Sequence, residues 1–445
     1  MFARSFDTSG FGAEEAPMKE GEMDENVNEI DEGAGYVGYQ EAFRLVVAHV
    51  RTVGIEEIPL DACVCRNLSE NLVARLSYPS NDVSLKDGYA VRSESVAAAS
   101  HRRPIFLPVK GSAFAGSSFD RRVKPGSAVR ICSGAPIPRG SDAVVSGEFC
   151  EEVSPGEVRI RAHAERGRNV LRKGGEIKAG TIIARKGDML LPGSLGLAAA
   201  AGISHARVYR RPRVALLGVG DEVVIPGQPL RSGQLYSSNL VTMSAWLGSF
   251  NLPHTSAVVK DDKKAIVKKL FKYLKAVDVI LTSGGAWGSE RDLVVGVLDG
   301  LGWKKIFHHV RMGPGKGVAF GTWEGKPVFC LPGGPASNEM AFLQFAFPGI
   351  IRMAGEKRHP LRSVPARLTE TLITRHRAWT EFKDAILSCD CDGNYTATQY
   401  NNRSRLQSIA RANSLICIPE GKESLKAGQV IPVQVLTPSP GVAFF

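Results

Sequence analysis

From Val208 to Gly355 the chain alternates short, continuous apolar runs with segments whose apolar residues recur at helical spacing. Runs that are apolar without interruption read as strands buried on both faces, and the 3.6-residue period reads as helix. The strands predicted in this way are Pro212–Gly218, Ala257–Val259, Val277–Leu281 and Val328–Leu331. The helices are Asn239–Leu247, Asp262–Leu274 with lysines on its outer face, Asp292–Leu298 and Pro335–Phe347. Strict alternation of strand and helix predicts parallel βαβ units with helices on both sheet faces. Ligands of such sheets lie outside the carboxyl ends of the strands.

The remaining chain has other grammars. Tyr39–Val53 reads as an amphipathic helix, Gly180–Leu191 as a strand-turn pair and Pro192–Gly202 as a helix with proline near its start. Between Ser77 and Arg168, apolar runs broken by Gly and Pro predict short strands at Pro104–Lys110, Ala128–Ile131, Ala143–Val145 and Val158–Ile160. Past Pro360 the pattern is again β, ending in Ala427–Leu436. No period of 20–50 residues repeats, which argues against a solenoid. The predicted fold class is therefore α/β plus β in a multidomain chain. Its parts are an acidic tail (1–35), a linking α+β unit (36–76 and 169–207) and an inserted β-rich unit (77–168). An α/β unit with a mostly parallel sheet (208–356) and a C-terminal β unit (357–445) complete it.

Composition narrows the classes. With 445 residues, 43% of them apolar and 23% charged, several globular domains are expected and no membrane span. The start, MFARSFDTSGFG, lacks the apolar core of a secretory signal, so a cytoplasmic location is expected. Residues 1–35 hold ten acids against Arg4 and Lys19, which predicts a disordered, solubilising tail. The body is correspondingly more basic than the total of +11 suggests. That favours anionic ligands, but the cations are scattered and no nucleic-acid motif is present. Eight cysteines are too few for a disulfide scaffold, and the pairs Cys63/Cys65 and Cys389/Cys391 are too tightly spaced for a zinc site.

Three glycine loops close predicted strands of the α/β unit: Gly218–Val223 (GVGDEV), Thr282–Gly285 (TSGG) and Leu331–Ser337 (LPGGPAS). Glycine admits a phosphate close to the backbone, and helix N-termini supply N–H groups and a positive dipole end. None of the loops matches the P-loop or the dinucleotide fingerprint. Glu222, Asp261 and Asp292 are expected on the same rim. Acids at helix starts can serve only as dipole partners. Beside a phosphate cradle, though, they point to a cation held by oxygen ligands, with Mg²⁺ the fitting ion.

At this point the residues carry a resemblance. From Tyr39 on, the chain resembles the molybdopterin molybdenumtransferase family, that of MoeA and the gephyrin E-domain. The matching motifs are DGYAV (Asp87–Val91), RICSGAPIPRGSDAVV (Arg130–Val145), GRNVLRKGGEIKAG (Gly167–Gly180) and YRRPRVALLGVGDEVV (Tyr209–Val224). They continue in TSGGAWGSERD (Thr282–Asp292), GPGKGVAFG (Gly313–Gly321), LPGGPAS and SIARANSLICIPEG (Ser408–Gly421). The resemblance implies an elongated subunit, a molybdopterin-binding α/β domain and a homodimer in which the β-rich unit of one subunit leans over the α/β site of the other. It implies insertion of molybdate into adenylylated molybdopterin with release of AMP and use of Mg²⁺, and transfer to molybdoenzymes or contact with the adenylylating partner. By position, Asp87, Ser133, Glu222, Asp261 and Asp292 take the catalytic places, and Glu222, Asp261 and Asp292 the metal. Thr282, Ser283, Gly284, Gly285, Lys316, Pro332, Gly333, Pro335 and Ser337 take the cofactor-binding places.

The chain also departs from the family's pattern. Ser237 stands where an aspartate is usual, Gly175 displaces an acid, and Trp287 and Ser289 alter the Ser-Gly-Gly loop. Gly313 precedes Pro314 where lysine is common, and Gly334 replaces an asparagine. Such changes inside the site keep open an alternative: a paralogue that carries a pterin or nucleotide without inserting metal.

Overall fold

The computed structural model describes residues 35–117, 119–285, 293–401 and 404–436. The acidic tail up to residue 34, and Trp287, Ser289 and Asp292, lie outside the described residues. The fold described below begins at Val37.

The α/β unit is built on a six-stranded sheet. Its order is His254–Val259, Val214–Val219, Val279–Ser283, Lys326–Leu331, Ala319–Trp323, Lys304–His308. The first four strands run parallel, and Ala319–Trp323 is antiparallel to both of its neighbours. Every residue of Val214–Val219 and Val279–Ser283 is buried, because helices cover both faces. Alternate side chains go to opposite faces, as the two-residue strand period requires. Leu216, Leu281, Phe329 and Leu331 join a core with the helices Tyr39–His49 and Ser238–Ser249 and with the long Pro335–Met353 helical segment. Ala215, Leu217, Ile280, Val328 and Cys330 join a second core under Lys263–Ala276 and Leu293–Gly300.

The elements come in the predicted order, with instructive differences. The strand predicted at Ala257–Val259 begins at His254, since pairing with Val214–Val219 carries three more residues into the ladder. The helix predicted to end at Phe347 runs on to Met353 through a π-helical stretch at Phe342–Ala346. Pro348 is tolerated because it sits in the first turn of the segment that follows. Lys304–His308 and Ala319–Trp323, polar at one end and antiparallel, were not read from the pattern. The Tyr39–His49 helix packs Tyr39, Ala42 and Val46 into the α/β core rather than against the linking residues around it.

The β-rich unit is a six-stranded sheet ordered Ala143–Ser146, Gly88–Val91, Ala128–Ile131, Ile105–Ala113, Glu157–Ile160, Cys150–Ser154. The linking unit is held by Ile55–Pro59 against His205–Tyr209 and by a small core around Cys63, Leu68, Leu190 and Val208. At the C-terminal end, Thr380–Cys389, Tyr395–Gln399, Ser363–Leu368, Val430–Val435 and Ser414–Ile418 pair in that order. The last returns to the first and closes a barrel. No described helix is long and apolar enough to cross a membrane, and none of the eight cysteines is disulfide-bonded.

Candidate active site

At the carboxyl ends of Val214–Val219 and His254–Val259 the chain forms a cleft lined by Asp221, Glu222, Arg231, Gly233, Asp261 and Leu293 among others. Glu222 and Asp261 are thus brought together as expected. The acid set beside Asp261 is nevertheless Asp221, which the sequence reading missed. The Asp221 N–H donates to Asp261 Oδ2 and the Asp261 N–H to Asp221 Oδ1, both at 3.4 Å. Glu222 turns back over its own loop: a Cβ on Gly220 would lie 2.6 Å from Glu222 Oε2. Asp221 and Glu222 occupy a tight turn between the strand ends, and there it is Asp221 that meets Asp261. Asp261 is not the helix cap either. Asp262 takes that role, its Oδ1 accepting the Ala265 N–H at 2.7 Å.

The Ser-Gly-Gly loop is shaped by two left-handed residues. Gly284 has φ +93° and Gly285 φ +69°. A Cβ on Gly284 would meet the Val219 carbonyl oxygen at 2.6 Å, and one on Gly285 would meet Val294 at 2.9 Å. Only glycine fits there. The neighbouring loop is in contact with it, since a Cβ on Gly333 would lie 3.6 Å from Gly284 Cα.

Ser283 ties these loops together. Its Oγ accepts from Asn239 Nδ2 at 3.0 Å and from Asn338 Nδ2 at 3.0 Å. Asn239 also donates to the Gly333 carbonyl at 2.7 Å, and Asn338 to the Pro332 carbonyl at 2.8 Å. Ser283 therefore braces the cradle, and Asn239 and Asn338 are bracing residues that the sequence pattern gave no site role. Thr282 is fully buried in the strand and its hydroxyl has no partner among the described residues. It lies beneath the cradle and is no part of its wall. Pro335 takes the first helical position after Gly334, and Ser337 follows in the first turn. One turn further on, burial and the nearby Asp384 charge push the Glu339 carboxyl up to about 7, against the Trp246 indole N–H that donates to it at 3.3 Å. Lys316 extends toward the C-terminal barrel, its ammonium 5.6 Å from the centre of the Trp379 ring.

Asp87 and Ser133 meet on the β-rich unit, where the Ser133 N–H donates to Asp87 Oδ1 at 2.8 Å. Neither lines the cleft formed by the α/β loops. Ser237, at the usual aspartate position, is buried and gives its helix no side-chain cap. Gly175 is required by its own turn, because a Cβ there would meet the Arg172 carbonyl oxygen at 2.9 Å.

Among the described residues no three His, Cys, Asp or Glu side chains stand together as a metal site, and Asp292 falls outside them. The donors present are carboxylates, which suit a hard cation such as Mg²⁺ and suit thiophilic metals poorly.

Three family descriptions match in order along the chain: the MoeA N-terminal region (domains I and II) at residues 37–202, a probable molybdopterin binding domain at 215–352, and the MoeA C-terminal region (domain IV) at 366–436. Molybdopterin molybdenumtransferase 2 of Mycobacterium tuberculosis H37Rv is 32% identical over 406 residues, which are 89% of this chain and 99% of that protein. Molybdopterin molybdenumtransferase of Haemophilus influenzae is 33% identical over 303 residues, 68% of this chain and 74% of that protein. The crystal structure of a molybdopterin biosynthesis MoeA protein from Pyrococcus horikoshii superposes with a TM-score of 0.77 at 30% identity, covering 90% of this chain and 99% of that one. With these matches spanning the N-terminal, α/β and C-terminal parts alike, the chain belongs to the MoeA family of molybdopterin molybdenumtransferases.

Proposed function

We propose that the chain is a molybdenum insertase: it takes adenylylated molybdopterin and molybdate, breaks the pyrophosphate to release AMP, and leaves molybdenum on the dithiolene sulfurs of the pterin. The observation that carries this reading is the shared rim on which the Gly284–Gly285 and Gly333 cradle stands next to the Asp221–Asp261 acids. Glycine backbone suits the phosphates of the pterin substrate, whereas carboxylates alone would repel them. The acids make sense with a cation. Asp221 and Asp261 would hold Mg²⁺, with Asp292 as a further proposed ligand and Glu222 turned aside over Gly220, and the ion would neutralise pyrophosphate charge.

The chain's own groups do the positioning. Ser283, Asn239 and Asn338 fix the cradle loops relative to one another, which holds the phosphates still while the bond between them breaks. Arg231, among the residues lining the cleft, offers the phosphates a guanidinium. Asp87 and Ser133 act, on this reading, from the β-rich unit of a second copy in a cytoplasmic homodimer. Lys316, Pro332, Pro335 and Ser337 complete the pterin-facing surface.

The test is to incubate the purified chain with adenylylated molybdopterin, molybdate and Mg²⁺ and follow AMP release and activation of an apo-molybdoenzyme. Both products are expected. Tight pterin binding without either one sinks the insertase reading in favour of a carrier.

A further inference from the structure

A second cavity lies at the other end of the sheet. It is bordered by Arg211, just before the Val214–Val219 strand, and Leu252, just before His254–Val259, so it sits at the amino ends of the strands, away from the pterin cleft. Three parts of the chain close it: Met189 of the linking unit, Phe250 and Ile351 of the α/β unit, and Pro360 on the way to the barrel. Its volume is about 100 Å³, the scale of the roughly 150 Å³ apolar cavity that takes a benzene ring.

The charges around it already have partners. Arg66 is engaged by Glu56 and by the Tyr209 carbonyl at 2.7 Å. Arg358 is engaged by Glu356 at 3.0 Å, and Arg211 lies within the field of Glu56. An anion is therefore not what the wall calls for. Guanidinium groups do stack favourably on aromatic rings, and the Met189 thioether favours the same neighbours. Aliphatic and aromatic walls, a polarizable sulfur and rimming guanidinium groups together suit a phenyl ring.

The chain supplies such a ring close by. In the barrel Ser363 pairs with Gln434, and the Val435 N–H donates to the Arg362 carbonyl at 2.7 Å. Arg362 and Pro360 form one lip of the cavity, so the chain passes that lip just before Leu436. Beyond Leu436, residues 437–445 read TPSPGVAFF and lie outside the described residues. Their sequence is a short polar spacer, a Pro440-Gly441 turn signal and an apolar word, Val442–Phe445. Extended chain covers about 3.3–3.6 Å per residue. A reversal at Pro440-Gly441 thus keeps Phe444 and Phe445 within reach of the lip.

We propose that one phenyl ring of the Phe444–Phe445 pair docks in this cavity. The segment that follows the barrel then touches the linking unit and the α/β layer at once and pins them together. Its contribution is the burial of one ring against walls that three separate stretches of chain provide.

Cys65 lines the cavity, is half-buried and is not disulfide-bonded, which makes it a local reporter. The full chain and its Phe444→Ala/Phe445→Ala double variant are alkylated with iodoacetamide under native conditions, and each cysteine is followed by mass spectrometry. Cys65 is expected to react about tenfold faster in the double variant, the order of effect that loss of a buried ring has on a local opening equilibrium. Exposed Cys389 is expected to react equally in both. The peptide TPSPGVAFF, titrated calorimetrically into the double variant, is expected to bind one per chain and to restore protection of Cys65. The same peptide with alanine for both phenylalanines is expected to do neither. Equal Cys65 labelling in the two proteins overturns the proposal, and so does peptide binding that leaves Cys65 reactive. A rise shared by buried Cys330 reports loosening of the whole fold and overturns it as well. Protection of the parent that fades on dilution shows the segment of a second copy in the cavity and overturns docking within one chain.

Discussion

Asp221 and Asp261, forty residues apart, each accept the other's backbone N–H at 3.4 Å across neighbouring parallel strands. Bonds of that length are weak, and the arrangement sets two acids side by side at the mouth of a phosphate cradle. If the pair serves a cation, Asp261→Asn lowers AMP release about 100-fold, as loss of an electrostatic stabiliser typically does. Pterin affinity then stays within about threefold, because the glycine cradle is untouched. Turnover and binding measured side by side decide it. Unchanged turnover in both Asp221→Asn and Asp261→Asn would make the pair a loop brace.

The bracing network has a stability signature. Asn338 is almost fully buried and spans Ser283 and Pro332. Asn338→Ala leaves the Pro332 carbonyl unmet and Ser283 with Asn239 as its remaining donor, and is expected to cost about 1–3 kcal/mol. Urea unfolding of the two proteins measures it, and Asn338→Asp, which removes the donating NH₂, should fare no better.

Two glycines in contact separate folding from binding. Gly284→Ala forces a Cβ to within 2.6 Å of the Val219 carbonyl oxygen at a left-handed φ, a strain of about 1–3 kcal/mol. Gly333→Ala meets only an ordinary contact at 3.6 Å and is expected to melt like the parent. Its methyl sits in the cradle, however, so pterin affinity should fall about tenfold. A Gly333→Ala protein that binds normally would show that phosphate does not rest there.

Glu339 predicts a pH dependence. Its carboxyl is pushed up from 4.5 to about 7 by burial and by Asp384. Between those values the native chain keeps a proton that the unfolded chain has lost, so its contribution to stability falls as pH rises and levels off above about 7. Glu339→Gln keeps the acceptor for Trp246 and abolishes the ionisation. It is expected to stabilise by about 1–3 kcal/mol at pH 8 and by nothing measurable at pH 4. Denaturant melts at the two pH values check this, and an equal gain at both would exclude the carboxyl as its source.

The parallel strands were legible because a run buried on both faces leaves a continuous apolar word, as in VALLGV. Lys304–His308 left none, since one side faces solvent and its partner is antiparallel. The glycines of the cradle were legible because a required positive φ removes other residue types. Which of two adjacent acids faces Asp261 was not, because backbone direction decides it. Asn239 and Asn338 stayed hidden for another reason: their partners lie on loops distant in sequence, Gly333 being 94 residues from Asn239. The family motifs supplied the chemistry that the residue pattern alone left open, since three glycine loops and a few acids suit many phosphate ligands.

The strand Val310–Gly313 pairs on one side with Val37–Gly38 and on the other with Thr380–Cys389 of the barrel. Two segments from far upstream are thereby stitched onto the edge of the C-terminal sheet. Expressed alone, residues 357–436 would present that edge bare, an invitation to self-association. The barrel and the α/β layer accordingly form a single cooperative unit, and an interruption of the chain near Gly355 would cut the covalent link while the sheet continued to hold the pieces together.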